Sequence, residues 1–321
     1  MNKWIKSCSV AWLACFGMAI SCSQGSLSGD SSAAIPLSSS SHEDAPAMLW
    51  TVSKGGATSY LFGTMHVSDP RITTLKPSVE AAFNESDAVY TELKESALEL
   101  GVKVAKLGML PAGTKLKDVI PIEMYEKLSS YVKSKKMSMR MIDGLRPWMV
   151  GMQLQMIDAM KYMKGIALDM QLTNRATKEG KEVGGVETVD EQIAALAYGT
   201  PEEQITLLGS HLDLMIEHDN DEKSQIDIML ENYLVGDIDA LWQTAAELLD
   251  DASELELAAF DALLVNRNKN MAVRIDQRFR THPESVTFFA FGALHFAGPE
   301  SVNVMLKNMG YRVERVIELA E

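Results

Sequence analysis

Cysteine is scarce in this chain of 321 residues: there are three, Cys8, Cys15 and Cys22, all near the N-terminus. The body of the protein therefore has no internal disulfide and no cysteine-based metal site. Basic charge is also short, with 30 Lys and Arg against 44 Asp and Glu, a net charge of -14. No Lys/Arg run is longer than a pair, so a surface for neutralising phosphates is missing and nucleic acid is excluded as a partner. Beyond the first twenty or so residues there is no apolar run of about 18 residues, the length a membrane-spanning helix needs. Gly-x-Ser-x-Gly, phosphate-loop and dinucleotide fingerprints are absent too, which argues against serine hydrolase, kinase and Rossmann dehydrogenase readings.

The N-terminus carries the first positive signal. Lys3 and Lys6 precede an apolar stretch from Val10 to Ile20, and Ser21 stands before Cys22. This is the pattern of a secretory signal. Ala19-Ile20-Ser21-Cys22 resembles a bacterial lipobox, so residues 1–21 are expected to be removed and Cys22 to be acylated, placing the protein in the cell envelope. The plainer alternative is a secreted protein cleaved nearby that keeps a free thiol. Residues 23 to 45 include nine serines and almost no large apolar side chain, too little to drive folding. A flexible linker is expected over 22–46 and a folded domain over 47–321.

Within that domain one pattern occurs twice. Tyr60-Leu61-Phe62 runs into Gly63-Thr64-Met65-His66 and Pro70, while Phe288-Phe289-Ala290-Phe291 runs into Gly292-Ala293-Leu294-His295 and Pro299. In both, a strand ends in Gly-x-x-His and is followed by a short amphipathic segment and a second strand (Ala88 to Glu92; Tyr311 to Ile317). A further strand is expected over Glu182 to Val186. Apolar spacings of three and four predict helices over much of the remainder, including Trp148 to Met163, Pro201 to Glu217 and Leu255 to Arg280. The expected fold is α/β, a central mixed sheet from two repeated units with helical insertions at roughly 95–180 and 190–280. Met149, Met152, Met156, Met160 and Met163 share one helical face, read as core packing rather than a soft-metal site.

Ligands in open α/β sheets gather beyond the carboxyl ends of strands, where both Gly-x-x-His turns lie. Glu92 and Glu187 sit at two other strand ends. A carboxylate there needs a cation or a donor, unless it is a helix cap or a surface group. Two imidazoles with one or two carboxylates suit Mn, Co or Zn. His42-Glu43 lacks a zincin's second histidine, and His218 to Glu222 lacks the glycine of a calcium loop.

These residues, with Arg146-Pro147-Trp148, Asp169, Val186-Glu187-Thr188, Gln192 and Arg267-Asn268, resemble the TraB/GumN family over roughly Trp50 to Val316. That family is related to the Tiki metalloproteases and more distantly to erythromycin esterases and haem-binding ChaN lipoproteins. The resemblance implies that His66, Glu92, Glu187, Arg267 and His295 meet in one cleft. Its leading implication is a metal-dependent hydrolase of peptide or small-molecule substrates. His66, His295 and Glu92 would hold a divalent ion (Mn or Co before Zn), Glu187 would accept a proton, and Arg267 would stabilise an oxyanion. Which glutamate ligates is open at this level. The alternative is a binding or regulatory lipoprotein that holds a haem or peptide in the same cleft, with Tyr60 or a motif histidine as axial ligand. Oligomeric state is not legible.

Overall fold

The computed structural model describes residues 45–95 and 97–317. The signal segment, the Cys22 acylation site and the serine-rich segment up to residue 44 lie outside the described residues.

Six strands form one sheet in the order β4-β3-β5-β2-β1-β6. They are β1 Leu49–Ser53, β2 Ser59–Thr64, β3 Ala88–Thr91, β4 Glu182–Gly185, β5 Thr287–Gly292 and β6 Arg312–Arg315. The four strands β4, β3, β5 and β2 run parallel, whereas β1 pairs antiparallel with both β2 and β6. The sheet is therefore mixed, as the sequence predicts. β1 is not among the elements expected from the sequence, whereas the helix Ala97–Gly108 lies inside the helical insertion expected over roughly 95–180.

Alternation along the strands divides the core in two. Leu49, Phe62, Val89, Phe288 and Ala290 share one cluster with Val79 and Phe83 of the helix Pro77–Glu85 and with Leu172 and Ala176 of the helix Leu168–Lys178. Trp50, Leu61, Phe289 and Phe291 instead join Met271 and Ile275 of the helix Asn266–Thr281 and Leu306 of the helix Val302–Asn308. Helices thus cover both faces of the parallel strands, which is why β5 is apolar at nearly every position. A third cluster contains no strand residue and joins the helices Ile122–Ser134, Pro147–Ala159 and Pro201–Glu217. Met149 and Met152 are buried and Met163 packs partly buried against the same cluster, while Met160, just past the end of the helix at Ala159, is the exposed member of the stripe.

The two repeated motifs pair one residue out of register: Gly63 lies opposite Phe291 and Gly292 opposite Thr64. One expectation needs correction. The long helix expected over Leu255 to Arg280 is three pieces, Glu254–Phe260, a π turn Asp261–Val265 and Asn266–Thr281. Hydrophobic periodicity does not reveal such an inserted residue, and π turns are common beside functional sites.

Candidate functional site

Four parallel strands deliver the site at their carboxyl ends. Thr64 ends β2 with His66 two residues on, Glu92 follows β3, Glu187 lies just past β4, and Gly292 ends β5 before the short turn Ala293–Phe296 that carries His295. Backbone pairing carries the sheet past its formal ends, since the amide of Glu187 donates to the carbonyl of Glu92 at 2.9 Å. Glu187 is not a cap: Thr188 caps the next helix and Glu191 closes its capping box.

Each imidazole is held by one nitrogen. His66 Nδ1 lies 2.7 Å from Asp169 Oδ2, and Thr64 Oγ1 donates to Asp169 Oδ1 at 2.5 Å. His295 Nδ1 lies 2.5 Å from Asn268 Oδ1, and Asn268 is oriented by donating its amide to the Glu300 carbonyl at 2.8 Å. Both Nε2 atoms are buried without a hydrogen-bond partner. They converge on one oxygen, Glu92 Oε1, at 3.3 Å from His66 and 3.8 Å from His295. The Gly292 amide donates to that same oxygen at 2.9 Å. Glu92 Oε2 accepts from Gln192 Nε2 at 2.8 Å and from Arg267 Nη2 at 2.8 Å.

Arg267 lies between the two glutamates. Its Nε and Nη2 grip Glu187 at 2.6–3.0 Å, and Nη1 donates to the Leu263 carbonyl at 3.1 Å inside the π turn. The local distortion of the helix thus supplies an acceptor for the buried guanidinium, 3% exposed. Here Nε and Nη2 engage carboxylates and Nη1 a carbonyl, so Arg267 holds Glu92 and Glu187 in place. Glu187 meets Arg267, and Glu92 is the carboxylate that meets the histidines.

The charges follow from this arrangement. Burial opposes a proton on His66, but Asp169 and Glu92 outweigh it and push the imidazole up to about 10. Burial, with Arg267 adding, holds His295 down to about 3. For Glu92, burial is overcome by Arg267 and His66, and the carboxyl stays well below its ordinary range. Burial raises Glu187, which Arg267 only partly offsets.

Among the described residues, no group of three or more His, Cys, Asp or Glu side chains is spaced to hold a metal ion as it stands. The donor chemistry nevertheless fits one. Two orphaned Nε2 atoms face one carboxylate oxygen, and both opposite nitrogens meet acceptors, as outer-shell partners of metal-binding histidines do. Gly292 leaves the space beside them clear, since a Cβ there would lie 3.2 Å from Glu92 Oε1 and 3.5 Å from His66 Nε2. Sequence reasoning gave Asp169, Gln192 and Asn268 no role; Asp169 is 103 residues from His66, and no local spacing links them.

Fold and site together define an α/β protein with a buried histidine and glutamate centre at the carboxyl ends of its parallel strands. The profile of the TraB/PrgY/gumN family matches residues 48–315, and the chain belongs to that family. Among its relatives, "Metalloprotease TIKI homolog" of Nematostella vectensis is 28% identical over 319 residues, covering 84% of this chain and 67% of that protein. "Metalloprotease TIKI1" of Danio rerio is 26% identical, covering 84% and 63%. An uncharacterized protein of Treponema pallidum (strain Nichols) is 25% identical, covering 79% and 78%. The chain spans about two thirds of the length of the TIKI relatives, or somewhat less. No solved structure matches it.

Proposed function

We propose that this protein is a divalent-metal-dependent hydrolase of peptide or amide bonds. One observation carries the reading: two buried imidazole nitrogens, each without a hydrogen-bond partner, face the same carboxylate oxygen. The metalloprotease names of its relatives support it. His66, His295 and Glu92 would hold the ion, with Mn or Co favoured and Zn the alternative. When bound, such an ion lowers the pKa of water and polarises a carbonyl. Asp169 and Asn268 fix the two rings, and Arg267 fixes Glu92. Glu187 is the proposed proton acceptor, because burial raises its carboxyl while Arg267 and His66 hold Glu92 low. The haem alternative has less support, since the Tyr60 hydroxyl donates to Glu85 at 2.6 Å at the far end of β2 from His66.

The test is metal analysis of the purified protein with peptide cleavage read by mass spectrometry. His66→Ala and His295→Ala are each expected to lose stoichiometric metal and cleavage. Wild type should gain about 2.7 kcal/mol of stability when free Mn or Co is about 100-fold above its dissociation constant. A wild type that neither retains metal nor shifts its melting with Mn, Co or Zn overturns the reading.

Envelope anchoring through an acylated Cys22 belongs to the same proposal and rests on the lipobox pattern alone. Labelled fatty acid is expected in the wild type and not in Cys22→Ser, which should leave the membrane fraction. Unlabelled wild type in the soluble fraction would remove the anchor.

A further inference from the structure

A cavity of about 30 Å³ opens beside the two Gly-x-x-His turns. His66 and Gly292 line it together with the apolar Met65, Ile226, Met229 and Leu241. All four of these apolar side chains are buried. Its floor is the ends of β2 and β5, the most buried strands of the sheet; its roof is the helices Gln225–Leu234 and Ile238–Ala246. The roof is tied down, because the Tyr233 hydroxyl, from the first of those helices, donates to the Gly63 carbonyl at 2.8 Å.

We infer that this cavity receives a small aliphatic side chain of the substrate, on the residue whose scissile bond lies against His66. The inference rests on the hydrolase reading and names what that site selects. Apolar walls ask no hydrogen bond of the group that enters and favour one that displaces water. The volume is about twice that needed to enclose one water, so it suits a group of about one to three carbons, from the alanine methyl to the valine isopropyl. A benzyl or indolylmethyl group overfills it, and a pinned roof turns that excess into discrimination of about tenfold or more per surplus methylene. Ile226 has a second consequence: it also lines a larger polar cavity of about 220 Å³ among the insertion helices. Ile226 is the one lining residue that the two cavities share.

The experiment uses the full chain and a peptide series identical except at one residue X, which is Gly, Ala, Val, Leu or Phe. Binding is measured by calorimetry, and cleavage of the same peptides is followed with Mn or Co. Wild type is expected to bind the Ala and Val peptides best, with Phe at least about tenfold weaker. Met229→Ala is expected to move the optimum to Leu or Phe, and Ile226→Ala to do the same by joining the two cavities. If Met229→Ala does not fold, the wild-type ranking and the milder Ile226→Val decide.

A flat ranking, tightest binding of Phe by wild type, a folded Met229→Ala with an unchanged order, or no binding by any peptide would overturn the inference. Cleavage without size ranking leaves the hydrolase reading standing and removes this pocket. Size-ranked binding without cleavage under any metal removes the hydrolase reading and keeps the pocket as a binding site.

Discussion

Arg267→Ala is expected to cost about 3–5 kcal/mol of stability, the loss that follows when one partner is stripped from a buried ion-pair network. Arg267 is 3% exposed, Glu92 and Glu187 5% each, and the guanidinium is within 2.6–3.0 Å of both carboxylates. Without it two buried carboxylates share one region with too little positive charge between them. The pH dependence has a definite sign. The lowered Glu92 carboxyl contributes stability that is present above the ordinary carboxylate range and is lost as pH falls through its folded value. The variant lacks that contribution, and protonating its carboxylates relieves the uncompensated charge. Urea denaturation should therefore show the widest gap from wild type near neutral pH and a narrower one only on acidification below the ordinary carboxylate range, under about pH 4. Arg267→Lys should fall in between, because a single ammonium does not reproduce the fork that reaches both carboxylates. An alanine variant within about 1 kcal/mol of wild type at neutral pH would show that these charges are solvated, and the buried network would have to be abandoned.

The sequence made parts of this site legible and hid others for physical reasons. The strands that end in Gly-x-x-His could be read because apolar runs, a glycine and a histidine are local features. Their one-residue offset could not, because register between strands more than 200 residues apart depends on how the sheet packs. β1 escaped notice at the edge of a serine-rich stretch, where Leu49-Trp50-Thr51-Val52 is a short apolar run with little to mark it. The partners of the imidazoles were hidden for a related reason: Asp169 begins one insertion helix and Asn268 lies in another, and only the closed fold brings them to His66 and His295. Arg267 was found by resemblance, but its contact with the Leu263 carbonyl depends on a π turn that periodicity reads as continuous helix.

The two glycines of the repeated motif look equivalent in sequence, and the structure separates them. A Cβ on Gly63 would press on the backbone and side chain of Ala293 at 3.1 Å and on Met48 at 3.2 Å, so Gly63→Ala is a packing error between strand ends. A Cβ on Gly292 would meet no backbone within that range. It would meet Glu92 Oε1 at 3.2 Å, His295 Cδ2 at 3.4 Å and His66 Nε2 at 3.5 Å, the atoms around the space an ion would occupy. The backbone of Gly292 has φ -48 and ψ 131, which alanine adopts without strain, and its amide can still donate to Glu92. Gly292→Ala is therefore expected to fold and to lose about 100-fold or more in metal affinity and turnover, at or beyond the upper end of what outer-shell changes produce. Gly63→Ala is the paired control, with lowered melting and metal retained by the folded fraction. Metal content, melting and cleavage measured on both variants check this. A Gly292→Ala protein that keeps metal and activity would show that nothing binds in the space beside His66 and His295, and the shared histidine centre would fall with it.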